Sequence, residues 1–201
     1  MKPIPNFDKI QAYMASTQLP IGGYVLKILD VRYDLGQNGT SDRIVVAFDI
    51  TEGDYAGFFK KKYEADMNED KKWKGTTTLY APKEDGSKQD EWTARKLKTF
   101  TNALEDSNTG YKWDWEENKW KGLIVGGVFG EVFSVIDGHE IKYTTFKGAY
   151  SADNIRSGNF KIPKTQYKNG ATGRISASDN DPMSEGFMKI PDNLVDERLP
   201  F

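Results

Sequence analysis

The chain has 201 residues, of which 37% are hydrophobic and 13% aromatic, so it is long enough for one domain of ordinary size with appendages. It contains no Cys, which excludes disulfides and thiol chemistry, and no run approaches the roughly 20 apolar residues that a membrane helix needs. Of 30 acids and 28 bases, residues 179–201 hold six acids and two bases, which leaves 24 acids and 26 bases in residues 1–178. A mildly basic body with an acidic tail points toward nucleic acid or an intramolecular competitor for it.

The N-terminal half predicts a short helical lead-in followed by β structure. Residues 1–19 carry apolar side chains at near-helical spacing after Asn6, without the apolar run or cleavage site of a signal peptide, so we expect a cytoplasmic protein. Two β-rich runs follow, Gly22–Leu35 and Arg43–Gly53, and the Gly- and Asn-rich turn between them predicts an antiparallel hairpin with a long loop. The segment "GFFKKKYEA" (Gly57–Ala65) is predicted to be a third strand.

The C-terminal half predicts one helix and a second hairpin. Apolar residues at helical spacing, from Trp92 to Leu104, predict a helix over about Asp90–Asp106, which Asn108 and Gly110 would end. Two β runs then flank the pair Asp137-Gly138, which is a strong hairpin signal. The glycines in "GVFGEVF" predict bulges or strong bending in the first of these two strands.

The order of the predicted elements indicates the fold class. Three strands, a helix and a hairpin follow the order of the OB-fold, a five-stranded Greek-key barrel with its helix between strands 3 and 4. We therefore expect a mainly β protein, with an OB-fold-like domain over residues 20–169 and a disordered acidic tail over residues 170–201. An unrelated small β-barrel or an α+β sheet is the alternative, because element order alone does not fix topology.

The sequence offers little for catalysis. The only His, His139, lies beside a hairpin turn, and there is neither a Cys nucleophile nor a glycine-rich phosphate-binding motif. Asp49 and Glu52 come nearest to a carboxylate pair, and they are more simply the end of a strand and its turn. We therefore expect a protein that is not an enzyme and uses no cofactor or metal, whereas a metal-dependent nuclease would need a carboxylate cluster.

Residues 58–80 interleave aromatic rings with lysines, the mixture that binds single-stranded nucleic acid. Lysines contact phosphates, and each base stacked on an aromatic face contributes about 1–3 kcal/mol without reading sequence. In a strand, Phe59, Lys61 and Tyr63 would share one face, and Trp73, between two lysines in a polar loop, would be exposed. The predicted nucleic-acid-binding residues are Arg32, Tyr33, Phe59, Lys60, Lys61, Lys62, Tyr63, Lys72, Trp73, Lys74, Tyr80, Tyr143, Phe146 and Lys147. The alternative is that the rings fill the core and the lysines form a solvated face.

Residues 196–201 resemble the tail tip of bacterial single-stranded DNA-binding proteins, which end in acids followed by a hydrophobic residue, Pro and Phe. The matching residues are Asp196, Glu197, Leu199, Pro200 and Phe201, with Arg198 interrupting the acids. The resemblance implies a docking peptide for replication and repair enzymes, whose pockets take the Phe ring while a basic patch takes the carboxylate. The body is also similar to phage-encoded proteins thought to bind single-stranded DNA, through "GGYVLKILDV", "IVVAFDITEGDYAGFF" and "LKTFTNALEDSN".

These features lead to the hypothesis of a non-enzymatic, sequence-independent single-stranded DNA-binding protein of a phage or mobile element. It would act in replication or recombination in the host cytoplasm, as a monomer or a homo-oligomer, with no membrane partner. The acidic tail would compete with DNA for a basic groove and, once displaced, recruit a partner enzyme. The alternative is a virion or tail-assembly β-barrel whose rings make subunit contacts. Trp113, Trp115 and Trp120 lie among acids and are interpreted as packing or partner contacts.

Overall fold

The computed structural model describes residues 18–37 and 40–173. Most of the predicted lead-in, and the predicted tail with its docking tip at residues 196–201, lie outside these ranges. Within them the chain is mainly β, with helices between strands. The elements are, in chain order, β1 (Gly22–Asp34), β2 (Arg43–Ile50), α1 (Phe58–Ala65), β3 (Thr76–Tyr80), α2 (Lys88–Ser107), a 3-10 turn (Glu117–Trp120), β4 (Ile124–Ile136), β5 (His139–Tyr150), α3 (Ala152–Arg156) and β6 (Gln166–Lys168).

The six strands of the described residues form one mixed sheet. Its order is β3-β2-β1-β4-β5 with antiparallel neighbours, and β6 pairs in parallel with the C-terminal half of β4. Both predicted hairpins, β1–β2 and β4–β5, are confirmed. Asp137 and Gly138 form the second turn with φ values of 50° and 80°, the left-handed pair that a type I′ turn requires. The β4–β5 pairing contains one bulge, but its extra residue is Lys147 of β5, between the partners of Val128 and Phe129, and not a glycine of β4 as predicted.

The predicted central helix is confirmed as α2. The Ser87 side chain accepts the backbone N–H of Asp90 at the start of the helix, and Asn108 follows its last residue. Phe100 is buried in the core as its spacing predicts. Trp92 is exposed instead, with the Lys96 ammonium 3.7 Å from the centre of its ring.

The segment predicted as the third strand is instead the helix α1, and the third strand is β3. In so short a segment, the i to i+4 spacing of Phe59 and Tyr63 fits a helix as well as alternation fits a strand. Two contacts from elsewhere in the chain favour the helix: a carboxylate of β2 accepts N–H groups of its first turn, and its aromatic side packs on the sheet. The run of β-branched Thr residues in "TTTLY" forms β3, as strand propensity favours.

The sheet is strongly curled. The Phe48 ring of β2 and the Phe146 ring of β5 have centroids 5.9 Å apart, although β1 and β4 lie between these two strands. Neighbouring strands lie about 4.8 Å apart, so a flat sheet would separate β2 from β5 by about 14 Å. Among the described residues no strand pairing joins β3 to β5, so the sheet is open, and α2 contacts both of these strands.

Buried side chains form two clusters on opposite sides of β1 and β4. Leu26 and Phe129 belong to the main core inside the curl, and we call this side of the sheet the inner face. Val25 and Val128 lie on the outer face, in a smaller core that includes Ile155 of α3. The helices of the described residues include none that is long and apolar enough to cross a membrane.

Candidate nucleic-acid interface

Asp49 fixes α1 against the sheet. Its carboxylate accepts the backbone N–H groups of Ile50, Phe59 and Lys60 at 2.8, 2.9 and 3.2 Å. The first turn of a helix leaves such N–H groups without intrahelical partners, and a carboxylate there also interacts favourably with the helix dipole. Burial raises the pKa of Asp49, although the three N–H donors act in the opposite direction. The lysines that follow Phe59 are therefore held at a defined position on the sheet.

The rings of α1 pack inward instead of lining a strand face. Phe59 is buried, with its ring centroid 5.7 Å from that of Phe48 and 6.2 Å from that of Phe129. Phe58 and Tyr63 are half-buried. The predicted alternation of rings and lysines on two strand faces is therefore wrong. For Phe59 the alternative holds, in which the ring belongs to the core.

Trp73 is also a core residue, and the prediction that it is exposed is wrong. The side chain is only 5% exposed, and its Nε1–H donates to the carbonyl oxygens of Phe48 and Gly75, both at 3.1 Å. The loop before β3 turns back onto β2 here, since the Phe48 N–H donates to the Gly75 carbonyl at 2.7 Å. The two flanking lysines made the position look solvated, but the backbone of β2 supplies the partner that the indole N–H needs.

The lysines of the same segment form a basic surface, which we call the α1 surface. Its members are Lys60, Lys61, Lys62, Lys71 and Lys74, which are exposed. The Lys71 ammonium lies 4.8 Å from the Tyr63 ring centroid, and the Lys62 ammonium lies 6.0 Å from that of Phe58. Residues 58–75 contain six lysines and four acids, so the segment is positive overall. Desolvation of the ammonium, followed by the charge of Lys74, lowers the pKa of Lys62 although the residue reaches the surface. Lys72 is half-buried.

Arg32 and Tyr33 do not border one groove, because successive residues of β1 face opposite sides of the sheet. The Arg32 guanidinium donates to both carboxylate oxygens of Asp34, at 2.7 and 3.1 Å. The Tyr33 hydroxyl donates to the Asp42 carboxylate at 2.6 Å on the other side. Tyr80, 52% exposed at the end of β3, lies on the outer face with Arg32. The Asp34 carboxylate also pairs with Arg43 at 3.1 Å, so it compensates only part of the charge that Arg32 was predicted to offer to phosphate.

The three predicted residues of β5 are divided between the two faces. Phe146 packs into the main core on the inner face, whereas Tyr143 lies on the outer face. Lys147 is the extra residue at the bulge, and its stem crosses the outer face over Gly130, where an added Cβ would lie 3.1 Å from the Lys147 Cγ. Its ammonium donates to the Gln166 side-chain carbonyl of β6 at 2.7 Å. The predicted continuation of one surface from α1 to this strand is therefore wrong.

Lys147 has two further cations nearby. Burial, followed by the charges of Lys168 and Lys96, lowers the pKa of Lys147 to about 8. Lys168 and Lys96 were not among the predicted residues. They come from β6 and α2, and no pattern in the sequence connects positions so far apart.

The carboxylates considered for a nuclease have structural partners. Asp49 holds α1, and Glu52 forms an ion pair with Arg156 at 2.6 Å. His139 is exposed at the start of β5. Within the described residues, no group of three or more His, Asp or Glu side chains is placed to hold a metal ion.

Comparisons with protein-family models and with curated protein sequences find no match to this chain. The chemistry of its two basic regions therefore carries the functional proposal.

Proposed function

We propose that this protein binds single-stranded nucleic acid, and single-stranded DNA in particular, without sequence preference and without catalysis. It would serve phage or mobile-element replication or recombination in the cytoplasm of a bacterial host. The observation that carries the proposal is the α1 surface, where exposed lysines of one helix and the following loop lie above half-buried aromatic rings. Ammonium groups that track phosphates beside rings that can stack on bases are the two elements of sequence-independent binding.

The strand order supports an OB-fold as the framework of this activity. In an OB-fold the third and fifth strands come together to complete a five-stranded barrel, with a helix between strands 3 and 4. Here β3 and β5 are the two ends of the main strand path, and α2 lies between β3 and β4 in sequence and contacts both β3 and β5. The short distance between Phe48 and Phe146 fits a sheet that is nearly wrapped onto itself. We therefore include the OB-fold in the proposal.

The contacts on α1 suggest how a strand would bind. A base that stacks on Tyr63 would displace the Lys71 ammonium from the ring, which then becomes available to the neighbouring phosphate. Phe58 offers a second partly exposed ring beside Lys62. Stacking on these two rings would contribute about 1–3 kcal/mol per base, and the phosphate contacts would make the affinity strongly dependent on salt.

The acidic C-terminal residues complete the proposal as an internal competitor and a docking peptide. Residues 179–201 carry six acids and two bases, so they would occupy the basic surface in the absence of DNA. DNA would displace them, and the tip from Asp196 to Phe201 would then recruit a replication or recombination enzyme. Pro200 restricts the free tip and so reduces the entropy lost on docking.

A fluorescence-anisotropy titration of labelled oligo-dT, at low and moderate salt with a duplex control, tests the proposal. We expect salt-dependent binding of the single strand and weak binding of the duplex. In the variant Lys60→Gln, Lys61→Gln, Lys62→Gln the slope of log affinity against log salt should fall by about 2, since each phosphate contact contributes about 0.7. The matched control Lys27→Gln, Lys98→Gln, Lys112→Gln removes the same charge elsewhere and should leave the slope unchanged. No binding at low salt, with or without residues 179–201, would refute the proposal.

A virion or tail-assembly role is the second candidate, and one observation favours it. Trp115 is 78% exposed and has a positive φ of 68°, a strained conformation for a large residue. Its ring lies 5.8 Å from that of Trp113 in a loop rich in acids, which suits a protein contact better than a phosphate contact. A large oligomer that is indifferent to DNA and that Trp115→Ala disrupts would favour this candidate over DNA binding.

A further inference from the structure

The outer face of β5, β4 and β6 carries a second group of basic side chains, apart from the α1 surface. Val132 of β4 lies in register with Tyr143 of β5 and with Gln166 of β6, so these three residues share the outer face. Lys168, two residues after Gln166, lies on the same face. Lys147 crosses this face to reach Gln166. Lys96 and Trp92 come from α2, which packs against β5, the strand of Lys147.

The α1 surface does not reach this group. The rings of α1 pack against the inner face, where Phe59 contacts Phe48 and Phe129. Lys147 lies on the outer face, over Gly130 of β4. The two basic regions are therefore on opposite faces of the sheet, and a ligand of one does not automatically contact the other.

Within residues 18–37 and 40–173, the three lysines Lys96, Lys147 and Lys168 have no acidic partner. No ion pair joins any of them to an Asp or Glu of the described residues, whereas Lys142, also on β5, pairs with Glu131 at 2.6 Å. Like charges brought together by separate elements repel one another, and partial burial strengthens that repulsion. The low pKa of Lys147 agrees with this arrangement. A bound anionic ligand would offset the electrostatic repulsion among the three lysines.

A nucleotide strand suits this site better than a lone carboxylate does, because the site offers an exposed aromatic ring as well as donors for an anion. The Gln166 side chain accepts from Lys147 through its oxygen, which leaves the amide NH₂ to donate to a ligand. On α2, Trp92 is 51% exposed beside Lys96, so a ring that can stack on a base lies next to an ammonium that can contact its phosphate.

We propose that Lys96, Lys147 and Lys168, with Gln166 and Trp92, form a second binding site for the phosphate backbone of the nucleic-acid strand. This inference rests on the proposed function and extends it from one contact surface to two. A strand that engages both sites must be longer than one that engages the α1 surface alone. A strand of a few nucleotides could therefore not contact both sites at once, and its salt slope would not include both.

The test combines a salt titration with a direct observation of Lys147. Full-length protein and the variant Lys96→Gln, Lys147→Gln, Lys168→Gln are titrated with a long oligo-dT at several salt concentrations, next to the control Lys27→Gln, Lys98→Gln, Lys112→Gln. We expect the first variant to lower the salt slope by about 2 and the control to leave it unchanged. NMR of the lysine side chains should show the pKa of Lys147 rising from about 8 when oligo-dT binds. Thermal unfolding of each variant checks that it remains folded.

The outcomes separate this inference from the proposed function. Normal oligo-dT binding with an unchanged salt slope in the variant and an unchanged Lys147 titration would refute the second site and leave the α1 surface in place. If deletion of residues 179–201 lowers the pKa of Lys147 and oligo-dT does not raise it again, the acidic residues are the ligand and the inference is wrong. Absence of any oligo-dT binding by the wild-type protein would remove the proposed function itself, and the second site with it.

Discussion

The α1 surface takes its lysines from one continuous segment, whereas the outer-face group collects Lys96, Lys147 and Lys168 from three distant elements. The first is partly compensated, because acids are interspersed among its lysines and Lys60 lies 3.9 Å from Glu64. The second has no acidic partner among the described residues. A local cluster can be positive at little cost to the fold, because its side chains are solvated and free to separate. A cluster assembled by tertiary structure keeps its charges together, so its cost in stability and its affinity for an anion should be coupled.

Replacing Asp49 should have the largest effect, because it removes the anchor of the α1 surface and leaves the outer-face group in place. In Asp49→Ala the N–H groups of Phe59 and Lys60 lose their buried acceptor. We expect a loss of about 3 kcal/mol in the free energy of unfolding, measured by urea denaturation, since an unsatisfied buried donor costs about 1–3 kcal/mol. Glu52→Ala, which removes an exposed ion pair with Arg156, should cost under about 1 kcal/mol. Equal losses in the two variants would contradict the anchoring role of Asp49.

Replacing Trp73 tests whether the α1 segment binds through a buried or an exposed ring. Trp73→Phe removes the N–H that donates to the Phe48 and Gly75 carbonyls and leaves a small cavity. The free energy of unfolding should fall by about 2 kcal/mol, while the affinity for oligo-dT should change less than about twofold. Tyr63→Leu, at a half-buried ring under Lys71, is the companion variant and should weaken oligo-dT binding more than Trp73→Phe does. A large loss of affinity in Trp73→Phe at unchanged stability would return Trp73 to the binding surface.

The elements that the sequence predicts well are those whose signals are local. The helix α2 has a Ser cap, a long apolar stripe and an Asn end within its own segment, and the β4–β5 turn needs only Asp137 and Gly138. Periodicity and turn chemistry were sufficient there because no distant residue alters their outcome.

The predictions that fail are those that distant contacts decide. The short segment of α1 fits either a helix or a strand until the Asp49 carboxylate and the rings of Phe48 and Phe129 are placed around it. The lysines on either side of Trp73 in the sequence predict an exposed ring, whereas its contact with the backbone of β2 buries it. The outer-face group could not be found at all, because its three lysines meet only through the pairing of β4 with β5 and β6 and the packing of α2 on β5.

Replacing Lys147 should change stability and binding in opposite directions. A lysine whose pKa is about 8 in the fold and 10.5 when unfolded binds fewer protons in the folded state between these values, so wild-type stability should rise as the pH increases from 8 to 10.5. Lys147→Met should reduce that rise, of which Lys62 also supplies a part, and increase the free energy of unfolding at pH 7 by about 1 kcal/mol, after a reduction for partial solvent exposure. Its affinity for long oligo-dT should fall. Lys98→Met, at an exposed position of α2, is the control. A Lys147→Met protein that is less stable than the wild type and binds oligo-dT with unchanged affinity would contradict the link between the stability cost of the lysine cluster and its affinity for DNA.

Removing residues 179–201 should have the smallest effect and should show which basic region the acidic residues occupy. The deletion removes six acids and two bases, so competition with DNA ends and the affinity for oligo-dT should rise roughly threefold at low salt, and less at moderate salt, where screening weakens the competition.

The deletion is then repeated in the two lysine-to-glutamine variants, at 60–62 and at 96, 147 and 168. The gain in affinity should persist in the variant that leaves the occupied region intact and disappear in the other. If it disappears only in the variant at 60–62, the acidic residues cover the α1 surface and the outer-face site is free to capture a strand before they are displaced. If the gain in affinity disappears only in the variant at 96, 147 and 168, the acidic residues cover the outer-face site and the α1 surface captures the strand first. A deletion that weakens binding would refute competition altogether.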